Sequence, residues 1–338
     1  MLQAGNGWLR SQHHYKDFHL HVEWKALQAE GYDAGIYLRA QQEGAPFPAE
    51  GYQVNLLQGR EGHISNLPGA ETSGLIKPAG EWNSFDIRVI GDRVRLAING
   101  KPAYEVGGME ISNGYIGLQV EVPKGGQFYL KNIQVTELGY TSLFNGSDFS
   151  GWEGADGAAD LSWQANEGVL YGLPNRGPWL RSLKEYDDFN LRLEYQVAKG
   201  GNSGVYIRVP SNGAHRRRPG RRGPFGIEVQ ILDDTDERYV TLKDYQFTGS
   251  LYAIVGPSRH VAGPPGAWNS LEINCAGERI TTVHNGVVVV DATPEEFPLL
   301  LLPRKKGYLG LQNHGEGANF RNLRIGPPLE MDSANTKK

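Results

Sequence analysis

The sequence predicts an all-β protein made of two tandem antiparallel β-sandwich or jelly-roll domains. Three observations carry this prediction: an internal repeat, apolar residues that alternate with polar ones, and frequent turn residues. The chain of 338 residues contains 45 Gly and 19 Pro, and no long stretch shows a convincing helical period. Short strands separated by Gly, Pro and Asn turns are typical of sandwiches and jelly rolls.

Two copies of one pattern run along the chain in the same order. The matching segments are 8–11 with 179–182, 17–23 with 188–194, 35–39 with 204–208, 51–57 with 226–232, 82–84 with 268–270, 99–100 with 285–286 and 114–119 with 307–312. So many collinear matches indicate tandem domains. We predict a degenerate first repeat (1–139) that lacks its first strands, a complete second repeat and candidate catalytic domain (142–327), and a tail (328–338). The two repeats are expected to pack together.

Alternation within the second copy predicts individual strands. Phe189, Leu191 and Leu193 alternate with polar residues, which is the period-two pattern of a strand buried on one side. The dipeptide Asn285-Gly286 lies between two apolar runs and predicts a hairpin turn. Each copy should therefore form its own antiparallel sandwich.

Charge and composition exclude several classes of partner. Lys and Arg total 34 against 38 Asp and Glu, which gives a net charge of −4 and removes the basic surface that nucleic acid requires. No apolar run approaches the ~20 residues that span a bilayer. Cys275 is the single cysteine, so an internal disulfide is excluded and a buried, small apolar side chain is predicted.

The face opposite the predicted core of the second copy carries planar hydrogen-bonding groups. If the aliphatic residues fill the core, the alternating positions point away from it. These are Glu194, Tyr206, Arg208, Glu228, Gln230, Gln312 and His314. A face that is poor in lysine and rich in carboxylates and amides suits a polyol, although an ordinary solvated sheet face is the alternative.

The ordered motifs of the second copy resemble the 3-keto-disaccharide hydrolase domain family. They include LFNG at 143–146, GGNSGV at 200–205, EVQILD at 228–233, GSLY at 249–252 and GLQNHG at 310–315. The resemblance covers about residues 142–327, and the first copy matches more loosely. It implies a concanavalin A-like lectin/glucanase jelly roll whose concave sheet holds a sugar. It also implies bacterial carbohydrate degradation.

The resemblance points to a location outside the cytoplasm. The first residues lack the basic start and apolar core of a secretion signal. We therefore expect a periplasmic or extracellular protein, whose sequence is then that of a mature or trimmed chain. A cytoplasmic location stays open.

The chemistry implied by the resemblance is cleavage of glycosides that carry a ketone at carbon 3. Such an enzyme needs a base, an enolate stabiliser and an acid for the leaving group. Glu228 and His314 are the candidates for base and acid, in an order that the sequence does not fix. Arg208 would pair with a carboxylate or stabilise the enolate oxygen. The candidate substrate-binding residues are Glu194, Gln230, Gln312, Asn202, Tyr206 and Tyr252. A divalent metal cation is left open as a cofactor, because no ligand spacing requires one.

The first copy tests this assignment from within the chain. It has Gln53 where the second copy has Glu228, and Glu121 where the second copy has His314. Glutamine cannot accept a proton at neutral pH. We therefore predict a catalytically silent first repeat that serves as a packing partner or a carbohydrate-binding platform.

Other interpretations stay open at this point. Glu228 could be only an ion-pair partner of Arg208, and His314 only a turn residue. The whole protein could be a non-catalytic lectin-like module. An ordinary retaining glucanase would need two carboxylates about 5 Å apart, such as Glu194 and Glu228. The basic run at 215–222 is either a solvated loop or a lid at the rim of the sugar site.

Overall fold

The computed structural model divides the chain into two compact units, residues 1–139 and 140–338. It describes residues 5–124, 127–216 and 223–330. Each unit contains two antiparallel sheets that share one apolar core. This architecture confirms the predicted all-β tandem of sandwich domains. No helix in the described ranges has the length and apolar character needed to cross a membrane.

The described residues of the first unit form nine strands and one 3₁₀ turn. They are β1 (Asn6–Arg10), β2 (Phe18–Ala26), β3 (Gly35–Ala40), β4 (Tyr52–Asn55), β5 (Asn83–Ile90), β6 (Arg93–Ile98), β7 (Lys101–Val106), β8 (Tyr115–Glu121), the turn Val122–Lys124 and β9 (Phe128–Glu137). One sheet has the order β1-β8-β3-β4, and the other has the order β7-β6-β5-β2-β9.

The second unit repeats this plan with additional strands. They are β10 (Thr141–Ser142), β11 (Trp152–Gly154), β12 (Trp163–Asn166), β13 (Val169–Gly172), β14 (Leu180–Tyr186), β15 (Phe189–Val197), β16 (Asn202–Val209), β17 (Ile227–Leu232), β18 (Asn269–Ala276), β19 (Arg279–His284), β20 (Val287–Ala292), β21 (Gly307–Leu311) and β22 (Ala318–Gly326). The 3₁₀ turns are Ala159–Leu161, Glu237–Tyr239, Asp244–Gln246 and Pro298–Leu301. The larger sheet has the order β12-β13-β22-β15-β18-β19-β20, with β10 also paired to β22; the five-stranded sheet has the order β11-β14-β21-β16-β17.

Alternation along the strands builds the core of the second unit. Ile227, Val229 and Ile231 of β17 are at most 2% exposed and face the core, where each buried aliphatic side chain contributes about 1.5–3 kcal/mol. Cys275 is completely buried among them, as predicted. Asn285 and Gly286 have φ values of 48° and 76° and join β19 to β20. Left-handed backbone at both central positions is the signature of the predicted two-residue hairpin.

A buried polar pair makes the stability of the second unit depend on pH. The Tyr195 hydroxyl lies 2.8 Å from Nε2 of His284, and neither residue is more than 1% exposed. Burial lowers the pKa of His284 to about 4, whereas an unfolded histidine titrates near 6.5. Between these values the unfolded chain binds the proton and the folded protein does not. The contribution of His284 to the free energy of unfolding therefore falls by about 3 kcal/mol as the pH drops from about 6.5 to about 4.

Thermal melts between pH 4 and 7 measure this effect against the variant Tyr195→Phe/His284→Leu. The variant removes both partners of this hydrogen bond, so the difference in stability between the wild type and the variant should change by about 3 kcal/mol across this range. A variant whose melting temperature follows that of the wild type at every pH would show that His284 is not the group responsible.

Candidate active site

Neighbouring strands align two rows of residues on the outer face of the five-stranded sheet of the second unit. The first row contains Arg181 of β14, Gly310 of β21, Tyr206 of β16 and Glu228 of β17. The second row contains Gln312, Gly204 and Gln230. The backbone N–H of Gln312 donates to the Gly204 carbonyl, and Gly204 pairs with Gln230 across the strands. These positions alternate with core residues, so both rows face away from the core.

Two glycines make room for the functional side chains on this face. A Cβ atom at Gly204 would lie 2.5 Å from Oε1 of Glu228. A Cβ atom at Gly310 would collide with the ring of Trp179. Glu228 can therefore lie across Gly204, and Trp179 can lie across Gly310, only because both positions lack a side chain.

Glu228 is a buried carboxyl group with polar neighbours on both oxygens. It is 3% exposed. Gln312 Nε2 donates to its Oε1 at 3.0 Å, and Nε2 of His215 lies 3.2 Å from its Oε2. Burial raises the pKa of Glu228 to about 8, against the opposing effects of the Arg216 charge and the Gln312 hydrogen bond. A carboxyl group that titrates near neutral pH is suited to proton transfer.

The segment that follows β16 brings His215 and Arg216 over this face. The His215 ring stacks on Tyr206 with ring centroids 4.9 Å apart and an interplanar angle of 4°. The Arg216 guanidinium lies 5.1 Å from the centre of the Tyr252 ring. These two residues begin the basic run and lie at the site, as the lid interpretation requires; residues 217–222 lie outside the described ranges.

Two buried polar atoms around Glu228 lack a hydrogen-bond partner within the part of the chain that the structure describes. They are the carbonyl oxygen Oε1 of Gln312 and the donor Nε of Arg216. Each such atom costs about 1–3 kcal/mol when it is buried without a partner. A ligand that carries hydroxyl groups can donate to the first and accept from the second. The arrangement therefore fits a polyhydroxylated molecule.

The structure brings six of the predicted site residues together on one face. Gln230 Nε2 donates to Asn202 Oδ1 at 3.3 Å. The Tyr252 amide donates to the Glu228 carbonyl at 2.8 Å, which places the Tyr252 segment along the free edge of β17. The six residues are Glu228, Tyr206, Gln230, Gln312, Asn202 and Tyr252.

The structure does not bring Arg208 to Glu228. Its guanidinium donates to the carbonyl oxygens of Asp187 (2.8 Å) and Gly277 (2.7 Å) and to the Asp188 carboxylate (2.8 Å). A register shift in β16 beyond Tyr206 and a φ of 51° at Arg208 interrupt the alternation. The alternating pattern therefore does not predict the face on which the Arg208 side chain lies. Since Arg208 pairs with Asp188, it is also not the ion-pair partner of Glu228.

The structure does not bring Glu194 to Glu228 either. Glu194 belongs to β15, in the larger sheet, whereas Glu228 belongs to the five-stranded sheet. Its carboxylate accepts hydrogen bonds from Arg321 Nε and Asn322 Nδ2, both at 2.7 Å. The alternative of a retaining glucanase needs two neighbouring carboxylates, and Glu194 does not supply the second one.

His314 lies two residues beyond Gln312 but does not touch Glu228. Its Nδ1 is 3.6 Å from Oε2 of Glu316, and within the described ranges no hydrogen bond or ion pair joins it to Glu228. The intervening Asn313 donates to the Ser162 carbonyl at 2.7 Å and fixes this segment. The catalytic role of His314 stays a prediction. In the described residues, no group of three or more His, Cys, Asp or Glu side chains is arranged to hold a metal ion.

Sequence reasoning missed His215 and Trp179 as residues of this face. His215 was visible only as the start of a basic run. Trp179 had a clearer signal, because it is the counterpart of Trp8 in the first repeat, but its position just before a strand did not reveal which face it occupies.

The first unit has the same frame with different chemistry. Arg10, Gly117, Tyr37 and Gln53 form the corresponding row. Gln53 donates to the side-chain oxygen Oε1 of Gln119. The Oε1 atom therefore has a hydrogen-bond partner in Gln119, whereas the corresponding Oε1 of Gln312 lacks one. Gln119 in turn donates to Glu121 at 2.6 Å. This face keeps the shape of the site but satisfies its own polar groups.

Comparison with known proteins shows that both repeats match the same domain family. The sequence matches the family described as 3-keto-alpha-glucoside-1,2-lyase-like domain over residues 1–136 and again over 139–326. The chain belongs to this family. Membership in the 3-keto-alpha-glucoside-1,2-lyase-like family confirms the resemblance found in the sequence and extends it over both repeats.

Relatives of this chain carry names from carbohydrate chemistry. A 3-keto-disaccharide hydrolase of Bacteroides thetaiotaomicron is 25% identical over 246 residues, which cover 58% of this chain and 84% of the relative. Two crystal structures from Parabacteroides distasonis, each named a "putative glycosyl hydrolase", are 29% and 26% identical. They cover 57% and 56% of this chain and 94% and 98% of their own, with TM-scores of 0.48 and 0.45.

Proposed function

We propose that the second repeat cleaves glycosides whose sugar carries a ketone at carbon 3, with Glu228 as a proton-transfer group. The observation that carries the proposal is the buried Glu228 carboxyl, which lies across Gly204 between a free acceptor and a free donor. Family membership and the 3-keto-disaccharide hydrolase relative support the choice of substrate class.

The reaction proceeds by elimination and hydration. The ketone at C3 acidifies the C2 proton, and a base removes that proton. The resulting enolate then expels the C1 substituent, which leaves as an alcohol when the acid protonates the glycosidic oxygen. Water then adds across the C1–C2 double bond, which returns a proton to C2 and a hydroxyl group to C1. The reaction needs no net oxidation, only proton transfers and stabilisation of the enolate oxygen.

The residues around Glu228 are placed to assist these steps. Burial raises the pKa of Tyr206, so its phenol stays protonated and can donate to the enolate oxygen. Gln312 Oε1 and Arg216 Nε, which lack partners, would bind sugar hydroxyl groups. His314 is proposed as the second proton-transfer group on the substrate, because the segment fixed by Asn313 carries it next to Gln312.

A pair of matched substrates tests this function. The protein is incubated with an aryl glucoside and with the same glucoside oxidised at C3, and release of the aryl alcohol is followed. We expect release only from the 3-keto compound, and incorporation of deuterium at C2 of the product in D₂O above a control without enzyme. Binding of either sugar without release would favour the lectin-like alternative. Release from the unoxidised glucoside would contradict the proposed chemistry.

The space above Gly204 gives a further prediction. The substitution Gly204→Ala pushes the Glu228 carboxyl out of place, because the new methyl group would lie 2.5 Å from Oε1. We expect kcat/KM for the 3-keto-glycoside to fall about 10²-fold, the typical effect of displacing a reacting group by about 1 Å. The matched control is Gly35→Ala, which crowds Gln53 in the first repeat in the same way and should leave the activity unchanged. Equal losses in both variants would mean that the effect is general strain.

A further inference from the structure

We propose that His215 is the positioning residue that sets the ionisation of Glu228, so that the two side chains act as one proton-sharing pair. This inference rests on the proposed function, because it assigns the pair to the same reaction. The motifs that carry the resemblance do not include His215. Its assignment comes from the geometry of the second repeat alone.

Two independent contacts fix the His215 ring at Glu228. Nε2 lies 3.2 Å from the carboxylate oxygen that Gln312 does not bind. The ring is also stacked parallel on Tyr206, with centroids 4.9 Å apart. Tyr206 is opposite Glu228 in the strand register. The stacking therefore holds the imidazole nitrogen at the level of the carboxyl group.

The groups around Glu228 make such a partner necessary. Burial favours the neutral carboxylic acid, which cannot remove a proton from carbon. The titratable or charged groups that face Glu228 are Tyr206 of β16, His215 and Arg216 of the following segment, and, next to Tyr206, Arg176. Tyr206 stays neutral, and the arginines hold their protons at every relevant pH. Among these four groups, His215 is the one that can exchange a proton with Glu228 near neutral pH.

The transfer leaves the number of protons on the pair unchanged. A neutral carboxylic acid beside a neutral imidazole becomes a carboxylate beside an imidazolium, and no charge is brought into the buried site from outside. Arg216 favours the carboxylate form. In that form Glu228 can take the C2 proton of the substrate, while His215 keeps the proton that Glu228 gave up.

The first repeat lacks this pair. The segment between β3 and β4, residues 41–51, contains no histidine, and Gln53 replaces Glu228. The carboxylate and its imidazole partner are thus both missing from the repeat that we predict to be silent. This joint absence is expected if the two residues serve one purpose.

The pH dependence of turnover tests the role of His215 in the full-length protein. In the wild type, kcat/KM for the 3-keto-glucoside should rise with pH. The apparent pKa of this rising limb of the pH–rate profile is a property of the Glu228–His215 pair and not of either residue alone. In His215→Gln, which keeps a hydrogen-bond donor but cannot carry charge, this limb should move up by about one pH unit or more, with KM changed less than about threefold. The control His14→Gln changes a histidine that contacts Tyr115 in the first repeat and should leave the profile unchanged. An equal loss of rate at every pH, without movement of the limb, would overturn the proposal.

A titration that needs no turnover separates this inference from the proposed function. The chain has nine histidines, and the NMR signal of His215 is the one that disappears in His215→Gln. Its titration midpoint should fall by about one pH unit or more when Glu228 is replaced by glutamine. An unchanged midpoint would overturn the pairing even if the enzyme is active. A shifted midpoint in a protein that turns over no 3-keto-glycoside would leave the pairing standing and reject the proposed function.

Discussion

Glu228→Gln should abolish the cleavage of 3-keto-glycosides and at the same time make the protein more stable. The amide keeps the size of the side chain and can still hydrogen-bond to Gln312, but it cannot accept a proton. Loss of a positioned acid–base group typically lowers kcat by 10²–10⁴-fold, and we expect about 10³-fold or more. The same residue occupies this position naturally in the first repeat, as Gln53.

The gain in stability should depend on pH. The pKa of Glu228 is about 8 in the folded protein, against 4.5 for the ordinary group. Between these values the folded protein binds a proton that the unfolded chain does not, so the contribution of Glu228 to stability is lost as the pH rises through about 8. Removing the carboxyl group should raise the melting temperature by several degrees at pH 8 to 9 and hardly at all at pH 5.

Calorimetry at both pH values, combined with the activity assay, measures the two effects together. The control is Glu121→Gln, which makes the same chemical change on the corresponding face of the first repeat and should leave turnover unaffected. Retention of more than a tenth of the wild-type activity in Glu228→Gln would remove this residue from the reaction. A melting temperature that falls at pH 8 would mean that the carboxyl group stabilises the fold instead of straining it.

The sequence was sufficient to predict the fold because both repeats carry the same alternation. Each strand with apolar residues at every second position can bury only one face, and two collinear copies make such a pattern very specific. The hairpin at Asn285 and the burial of Cys275 followed from local rules of the same kind. These features depend on neighbours in sequence, which a sequence displays directly.

Alternation was less reliable for the site. It predicts which face of its own strand a side chain occupies, but not the sheet to which that strand belongs. Glu194 and Glu228 both point away from the core, yet they belong to different sheets of the second unit. At Arg208 even the face is not predicted, since the register of β16 shifts next to it. His215 contacts Glu228 through a connecting segment, and the path of such a segment over a sheet has no periodic signal.

A comparison of the two repeats favours a structural role for two of these residues. Glu194 and Arg208 both have counterparts, Glu23 and Arg39, in the repeat that we predict to be silent. Asn132 donates to Glu23 just as Asn322 donates to Glu194, and both asparagines have left-handed backbone, with φ values of 50° and 53°. Glu194 and Arg208 thus keep the same contacts in a repeat that we predict to be silent, which favours a role in the fold. Residues that change between the repeats, such as Gln53 and Glu228, are the better candidates for chemistry.

Arg208→Met should therefore lower the stability of the protein strongly without changing the kcat of the molecules that remain folded. The substitution keeps much of the apolar stem but leaves the carbonyl oxygens of Asp187 and Gly277 without their donor. Arg208 is 3% exposed, and hydrogen bonds of a charged group contribute about 1.5–3 kcal/mol each, so we expect a loss of about 3 kcal/mol in the free energy of unfolding. Denaturant titration gives this loss, and turnover per folded molecule gives kcat.

Arg39→Met is the matched variant in the first repeat. Arg39 has a φ of 50° and donates in the same way to the carbonyl oxygens of Lys16 and Ile111, although the Gln53 face beside it carries no proton-transfer carboxyl. If both arginines serve only to hydrogen-bond a strand to its neighbouring loops, the two variants should lose similar amounts of stability. In neither variant should kcat fall. A fall in kcat confined to Arg208→Met would instead return Arg208 to the reaction, because these hydrogen bonds are common to both repeats and only the second has Glu228.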